Sequence, residues 1–148
     1  MWGGASADAI IIRTPAGVSP LIFSDPTSTT RTVTSTATSD PVGGPICTGG
    51  AVSKEVCRVE IDATGQTVRY DNHIVYNLVK AHQADAVPVF ARGNSGGPVY
   101  TSIGSSGAQA RGIVSAFQYV DGIARYNLGW YSSMRYITPE LGVTVKTP

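Results

Sequence analysis

The 148 residues carry 42% hydrophobic and 14% charged side chains, 17 Gly, 9 Pro and a formal net charge of +1. That length supports one domain with a substantial core, and the Gly and Pro content fits a turn-rich all-β protein better than a helical one. The near-neutral charge gives no electrostatic basis for a nucleic-acid or anionic-membrane partner. No run reaches the ~18 to 20 apolar residues of a membrane span, and Met1-Trp2-Gly3-Gly4-Ala5 does not read as a signal peptide.

In chain order, Ala9 to Ile12 is a continuous apolar run that reads as a buried strand. Leu21-Ile22-Phe23 is a short apolar piece between Pro20 and Pro26. From Thr27 to Ser39, ten of thirteen residues are Ser or Thr. Composition suggests a linker, but Thr32, Thr34 and Thr36 alternate with Val33, Ser35 and Ala37, and threonine favours strands. The early part reads as linker and the later part as a strand. Pro45 to Thr48, a Gly49-Gly50 turn and an alternating strand from Val56 to Ile61 follow. Gly65 turns the chain into Thr67 to Tyr70, and Asp71-Asn72 turns it again. Ile74 to Val79 is the strongest strand, and Gln83 to Arg92 reads as a loop. Strands are expected at Pro98 to Thr101, Arg111 to Tyr119 and Ile123 to Tyr126, then a short helix within Ser133 to Leu141, limited by Pro139. About six short strands at this spacing predict an all-β, antiparallel Greek-key barrel with a short C-terminal helix.

Cys47 and Cys57 are separated by nine residues. As residues they are compatible with free buried thiols or a disulfide; a zinc site would need two further ligands, and none stands at suitable spacing. His73 follows a turn and His82 ends a strand, and both read as surface or hydrogen-bonding residues. Asp85 and Glu140 are isolated acids, so a paired-carboxylate mechanism has little support. No pattern calls for a cofactor or a metal.

Gly93-Asn94-Ser95-Gly96-Gly97-Pro98 leads into the β-type run Pro98-Val99-Tyr100. Glycine reaches backbone angles that other residues avoid and lets a ligand approach the main chain. A nucleophilic serine needs both: a hydroxyl clear of neighbours, and backbone N–H groups aimed at the oxyanion it creates. The same pattern also occurs as a plain tight turn.

Together with Gly112-Ile113-Val114-Ser115 and Ala7-Asp8-Ala9-Ile10-Ile11-Ile12, this motif resembles the chymotrypsin-like serine peptidases, in particular the bacterial streptogrisin and α-lytic protease branch. The ending Gly142-Val143-Thr144-Val145 is similar to the G-V-x-V ending of those enzymes. The resemblance covers nearly the whole chain but only the later part of a complete enzyme. It implies that residues 1–26 end the first barrel and carry the triad aspartate, and that 27–148 form the second barrel, with Thr32 to Ala37 in its first strand. Ser95 would be the nucleophile, the N–H groups of Gly93 and Ser95 the oxyanion hole, and Asp8 the orienting acid. Ser115 would bond near Asp8, and Ala116 and Phe117 would pair with the substrate backbone. Val89, Phe90 and Arg92 would contribute to the substrate pocket. No acid stands at its floor and Phe117 replaces a common glycine, so small or medium apolar side chains are expected. Cys47 and Cys57 would form a disulfide, which implies an oxidising, secreted setting.

Two departures stand out. The family's histidine segment is not in the sequence, so an N-terminal segment or a separate chain would supply the base. Asn94 replaces the family's aspartate and Thr48 the arginine that pairs with it, so a neutral Asn94–Thr48 hydrogen bond is expected in place of a costly lone charge. The expected function is a serine endopeptidase acting on polypeptides through an acyl-enzyme, with this chain nearly inert alone. The competing expectation is an inactive module that binds extended peptides.

Overall fold

The computed structural model describes residues 6–25, 29–70 and 72–148. The expected domain boundary at residues 26 and 27 and the Asp71 half of one predicted turn lie outside them.

Eight strands and one helix follow in order: β1 (Leu21–Phe23), β2 (Thr30–Thr36), β3 (Pro45–Gly50), β4 (Lys54–Tyr70), β5 (His73–Gln83), β6 (Pro98–Ile103), β7 (Gly107–Val120), β8 (Ile123–Ser133) and α1 (Met134–Leu141). β3-β4-β5 and β6-β7-β8 each form an antiparallel meander. The two meanders join along both edges, β3 to β6 and β5 to β8, again antiparallel. Six strands thus close into the ring expected of a Greek-key barrel, and closure removes the open edges that isolated strands expose. Side chains alternate between the faces of each strand, so residues of period two meet in the middle. On β7 these are Ala108, Ala110, Gly112 and Val114, all buried. Ile46, Val59, Ile61, Val79, Val99 and Tyr131 pack with Val114 in the core.

Two turns are displaced or absent: the one read at Gly49-Gly50 falls at Ala51 to Ser53, after β3, and Gly65 does not reverse the chain, since β4 runs unbroken from Lys54 to Tyr70 and Gly65, at φ 65°, sits where its pairing with β5 shifts register. Two further expectations fail. Thr32 to Ala37 does not supply the first strand of the ring, which begins at β3. β2 lies outside it, paired with β1 and running parallel to the first half of β7, from Thr32 opposite Gly107 to Thr36 opposite Ala110. The reason lies in β7, which is longer than its partner. β8 pairs with it only from Gly112 onward, so residues 107–110 would otherwise keep a bare edge. The second failure is Ala9 to Ile12, which is neither a strand nor buried: Ile10 is 81% and Ile12 75% exposed. An apolar run becomes a buried strand only when another strand covers it, and none among the described residues does.

Polar contacts tie the outer elements to the ring. Arg31 of β2 donates from Nε and Nη2 to the two carboxylate oxygens of Glu55, at 2.8 and 2.9 Å. The Tyr100 hydroxyl of β6 also donates to Glu55. The Arg31 hydrogen bond holds the Glu55 carboxyl below the usual carboxylate range. Asp40 accepts from Tyr131 Oη at 2.7 Å and Ser133 Oγ at 2.6 Å. Ser133 also caps α1 by accepting from the Arg135 N–H, and Gly142 ends the helix at φ 62°. Cys47 and Cys57 form the disulfide that the resemblance implies, bridging β3 and β4. No described helix is long and apolar enough to cross a membrane.

Replacing both cysteines by serine is expected to lower unfolding free energy by about 2–3 kcal/mol in urea titrations, because a closed loop of this size loses its constraint. Glu55 gives a pH signature. Its folded pKa lies below the unfolded value of about 4.3. Its stabilisation is therefore present above that pH and lost as pH falls through the folded value. Thermal melts from neutral to acid pH should show Glu55→Gln with a flatter acid limb than the native chain.

Candidate active site

Residues 84–97 cross from one meander to the other, and the Gly93–Gly97 loop closes this crossing. Its anchor is Asn94, 1% exposed. Asn94 Oδ1 accepts from the N–H groups of Val52 (3.0 Å) and Ser53 (3.2 Å). Its Nδ2 donates to Ser53 Oγ at 2.6 Å and to the Val89 carbonyl at 2.9 Å. The neutral contact expected with Thr48 is therefore made elsewhere. Thr48 sits inside β3, opposite Val56 and Val99, while the turn just after β3 reaches Asn94. A primary amide both accepts and donates, so it can satisfy that turn and the Val89 carbonyl together; a carboxylate would set oxygen against oxygen at Val89. Gly50 makes room, since a Cβ there would collide with the Asn94 side chain.

Around this anchor the loop is held on both sides. Asn94 N–H donates to Ala91 O at 3.0 Å and Gly97 N–H to Asn94 O at 2.9 Å. Gly96 N–H donates to Val114 O, and Val114 N–H to Gly97 O, each at 2.9 Å. Gly93 adopts φ 91° and Gly96 φ 82°, a region that side chains with a Cβ rarely enter. A Cβ on Gly93 would also lie 2.8 Å from Val52 Cγ2. The result is an exposed Ser95. Among the described residues the N–H groups of Gly93 and Ser95 have no acceptor. Such a pair of free donors beside a hydroxyl can stabilise developing negative charge on a bound oxygen.

Asp8 reaches the same region from the opposite end of the chain. Its N–H donates to Ser132 Oγ at 2.7 Å, which pins the segment to β8. Its Oδ2 accepts from Ser115 Oγ at 2.6 Å and from the Tyr70 hydroxyl at 3.2 Å. Tyr70 and Ser115 oxygens lie 3.3 Å apart. Burial first, and the nearby Asp8 charge with it, raises the Tyr70 pKa above its ordinary value.

Asp8, Phe90, Arg92, Gly93, Ser95, Ser115, Ala116 and Phe117 all line one cavity of about 640 Å³. Asp8 and Ser95 share a second hollow of about 510 Å³, walled by Ala9, Ile10 and Ile12. Val89 alone of the predicted pocket residues is not on the wall: it is fully buried in the core. Neither histidine lines a cavity with Ser95. His82 Nδ1 pairs with Asp62 Oδ1 at 2.6 Å, and His73 is exposed at the start of β5. Sequence reasoning missed Tyr70, Arg69, Tyr119 and Trp130 as wall residues. No local motif marks them, because the long β4–β5 and β7–β8 hairpins carry them over the cleft. Two atoms of this wall, Gln118 Oε1 and Trp130 Nε1, are buried without a partner among the described residues.

β7 also has an unusual edge. Its pairing with β6 ends at Ile113, whereas its pairing with β8 continues through Ala116 and Phe117. Ser115 to Gln118 therefore lack a strand partner on the cavity side among the described residues.

No family model matches the sequence, and no curated protein is significantly similar to it. Solved structures are similar. Thermobifida fusca Protease A shares 26% identity over 91% of this chain and 65% of its own, with a TM-score of 0.68. Cellulomonas bogoriensis chymotrypsin shares 22% identity over 92% of this chain and 67% of its own, with a TM-score of 0.68. Nocardiopsis protease shares 23% identity over 87% and 61%, with a TM-score of 0.63. These neighbours are bacterial chymotrypsin-like serine proteases, and the chain has the fold of the C-terminal part of theirs. It spans about 65% of the length of Thermobifida fusca Protease A.

Asn94→Ala should lower stability by about 1–3 kcal/mol, since it leaves the buried Val89 carbonyl and two half-buried N–H groups without their partner. Asn94→Asp should also destabilise, whereas Thr48→Val should change stability much less. Chemical denaturation of the three variants side by side checks the ranking.

Proposed function

We propose that this chain is the nucleophile-bearing barrel of a serine endopeptidase. Ser95 Oγ attacks a peptide carbonyl, and the Gly93 and Ser95 N–H groups hold the oxyanion that forms. A histidine supplied by a segment or chain outside this sequence takes the Ser95 proton and returns it to the leaving amine. Asp8, already held by Ser115, orients that imidazole and stabilises its charged form. The unpartnered edge at Ser115 to Phe117 accepts the substrate backbone as an added strand. The disulfide suits an oxidising, extracellular setting. The observation that carries this reading is that Asp8 and Ser95, far apart in sequence, line the same two cavities.

A second reading is a peptide-binding module that does not cut. It is favoured by the Tyr70 hydroxyl, which occupies Asp8 Oδ2 from the cavity side. Fluorophosphonate labelling with added imidazole separates the two. If Ser95 is a nucleophile awaiting its base, imidazole should speed labelling about tenfold or more. The modification should map to Ser95, vanish in Ser95→Ala and fall in Asp8→Asn. No imidazole-dependent modification of Ser95 would leave the binding module as the answer.

A further inference from the structure

Arg92 stands three residues before Ser95, and its guanidinium lies over the Phe117 ring, 5.7 Å from the centroid. It donates to the Tyr119 hydroxyl at 3.5 Å. Phe117 is itself wedged between Tyr119 and Tyr126, with centroids 5.2 and 5.1 Å away. The arginine is thus stacked on an aromatic platform, solvent-exposed, and has no carboxylate partner among the described residues. Arg69 lines the same cavity, also exposed and without an acidic partner among those residues. Among the described residues Asp8 is the only acid on that wall, and it is engaged by Ser115 and Tyr70.

A cation left unpaired on a cavity wall is a recognition element when its geometry is fixed. The Phe117 ring and the Tyr119 hydroxyl together position the guanidinium, and its remaining N–H groups can donate to a carboxylate. The floor beneath is Phe90, whose ring abuts Gly129 so closely that a Cβ at Gly129 would collide with it. The cavity beside Ser95 thus has aromatic walls in Phe90 and Phe117 and a cationic one in Arg92.

We propose that Arg92 is a specificity-determining residue that selects a polypeptide with an acidic side chain entering the cavity beside Ser95. A glutamate places its methylene stem on Phe90 and Phe117 and its carboxylate on Arg92. This differs from the small or medium apolar side chains expected from sequence, because Arg92 stands on the cavity wall beside Phe117. Basic side chains are repelled. This inference rests on the reading that Ser115 to Phe117 accept an extended peptide, but not on Ser95 being catalytically competent.

The test is fluorescence polarisation of the full chain with fluorescein-labelled Ala-Ala-Ala-Glu-amide, its Gln isostere and its Lys counterpart. The Glu peptide should bind about fivefold more tightly than the Gln peptide at low salt, and the Lys peptide most weakly. High salt should compress the ratio, because Arg92 is exposed. In Arg92→Gln the Glu/Gln ratio should fall to about one, and Arg92→Lys should keep only part of it. Equal binding of Glu and Gln peptides by the native chain overturns the inference. So does a preference that survives Arg92→Gln and disappears in Arg69→Gln. If no peptide binds, the peptide-accepting cleft falls and this inference with it. A Glu preference without Ser95 labelling sustains the inference while removing the catalytic reading.

Discussion

The site depends on the buried amide of Asn94. Three of its side-chain hydrogen bonds join the turn after β3 to the loop that crosses between the meanders, and the fourth ties that loop to its own Val89 carbonyl. With that residue fixed, the next one has little choice: the Gly93 and Gly96 backbones flank it at positive φ, and Ser95 is pushed into the open. A neutral group suits this position because all its partners are neutral. A charge there would need a countercharge in a place where water cannot screen it.

β7 carries the second constraint. It is long enough to serve three functions along its length. Its first residues pair with β6 and β2, its middle closes the ring, and its end keeps one edge open beside Ser95. Ser115 sits where the ring stops and the open edge begins, which is why one side chain can hold Asp8 while its neighbours face the cavity. The barrel interior supplies rigidity, and the stretch from Ser115 to Gln118 leaves one edge without a strand partner among the described residues. The stacked Arg92 and Phe117 lie at that same end, so charge and edge are presented together.

Much of this was legible in the residues. The Gly-rich loop around Ser95, the closing helix with Ser133 before it and Gly142 after it, and part of each of the six ring strands follow from local rules: turn chemistry, alternation and capping. The full length of β4 and β8 does not: Gly65 reads as a turn but lies inside β4, and β8 continues past Tyr126 to Ser133. Asp8, Ser115 and the pairing of Cys47 with Cys57 followed only from the resemblance. Three other misreadings share one cause. Ala9 to Ile12 looked like a buried strand, Thr32 to Ala37 like part of the ring, and Thr48 like the partner of Asn94. Each judgement needed to know which segment lies alongside, and pattern within a segment does not say.

The sequence by itself determined the class of fold and the loop that exposes Ser95, because those depend on backbone preferences within a few residues of each position. Only the tertiary structure decided who meets whom. It brought Tyr70 to Asp8, set the Val52 and Ser53 N–H groups on Asn94, stacked Arg92 on Phe117 and withdrew Val89 into the core. Those outcomes depend on how far each hairpin extends before it curls over its neighbour. That reach is set by the register of long strands closing a ring, a property no single segment contains.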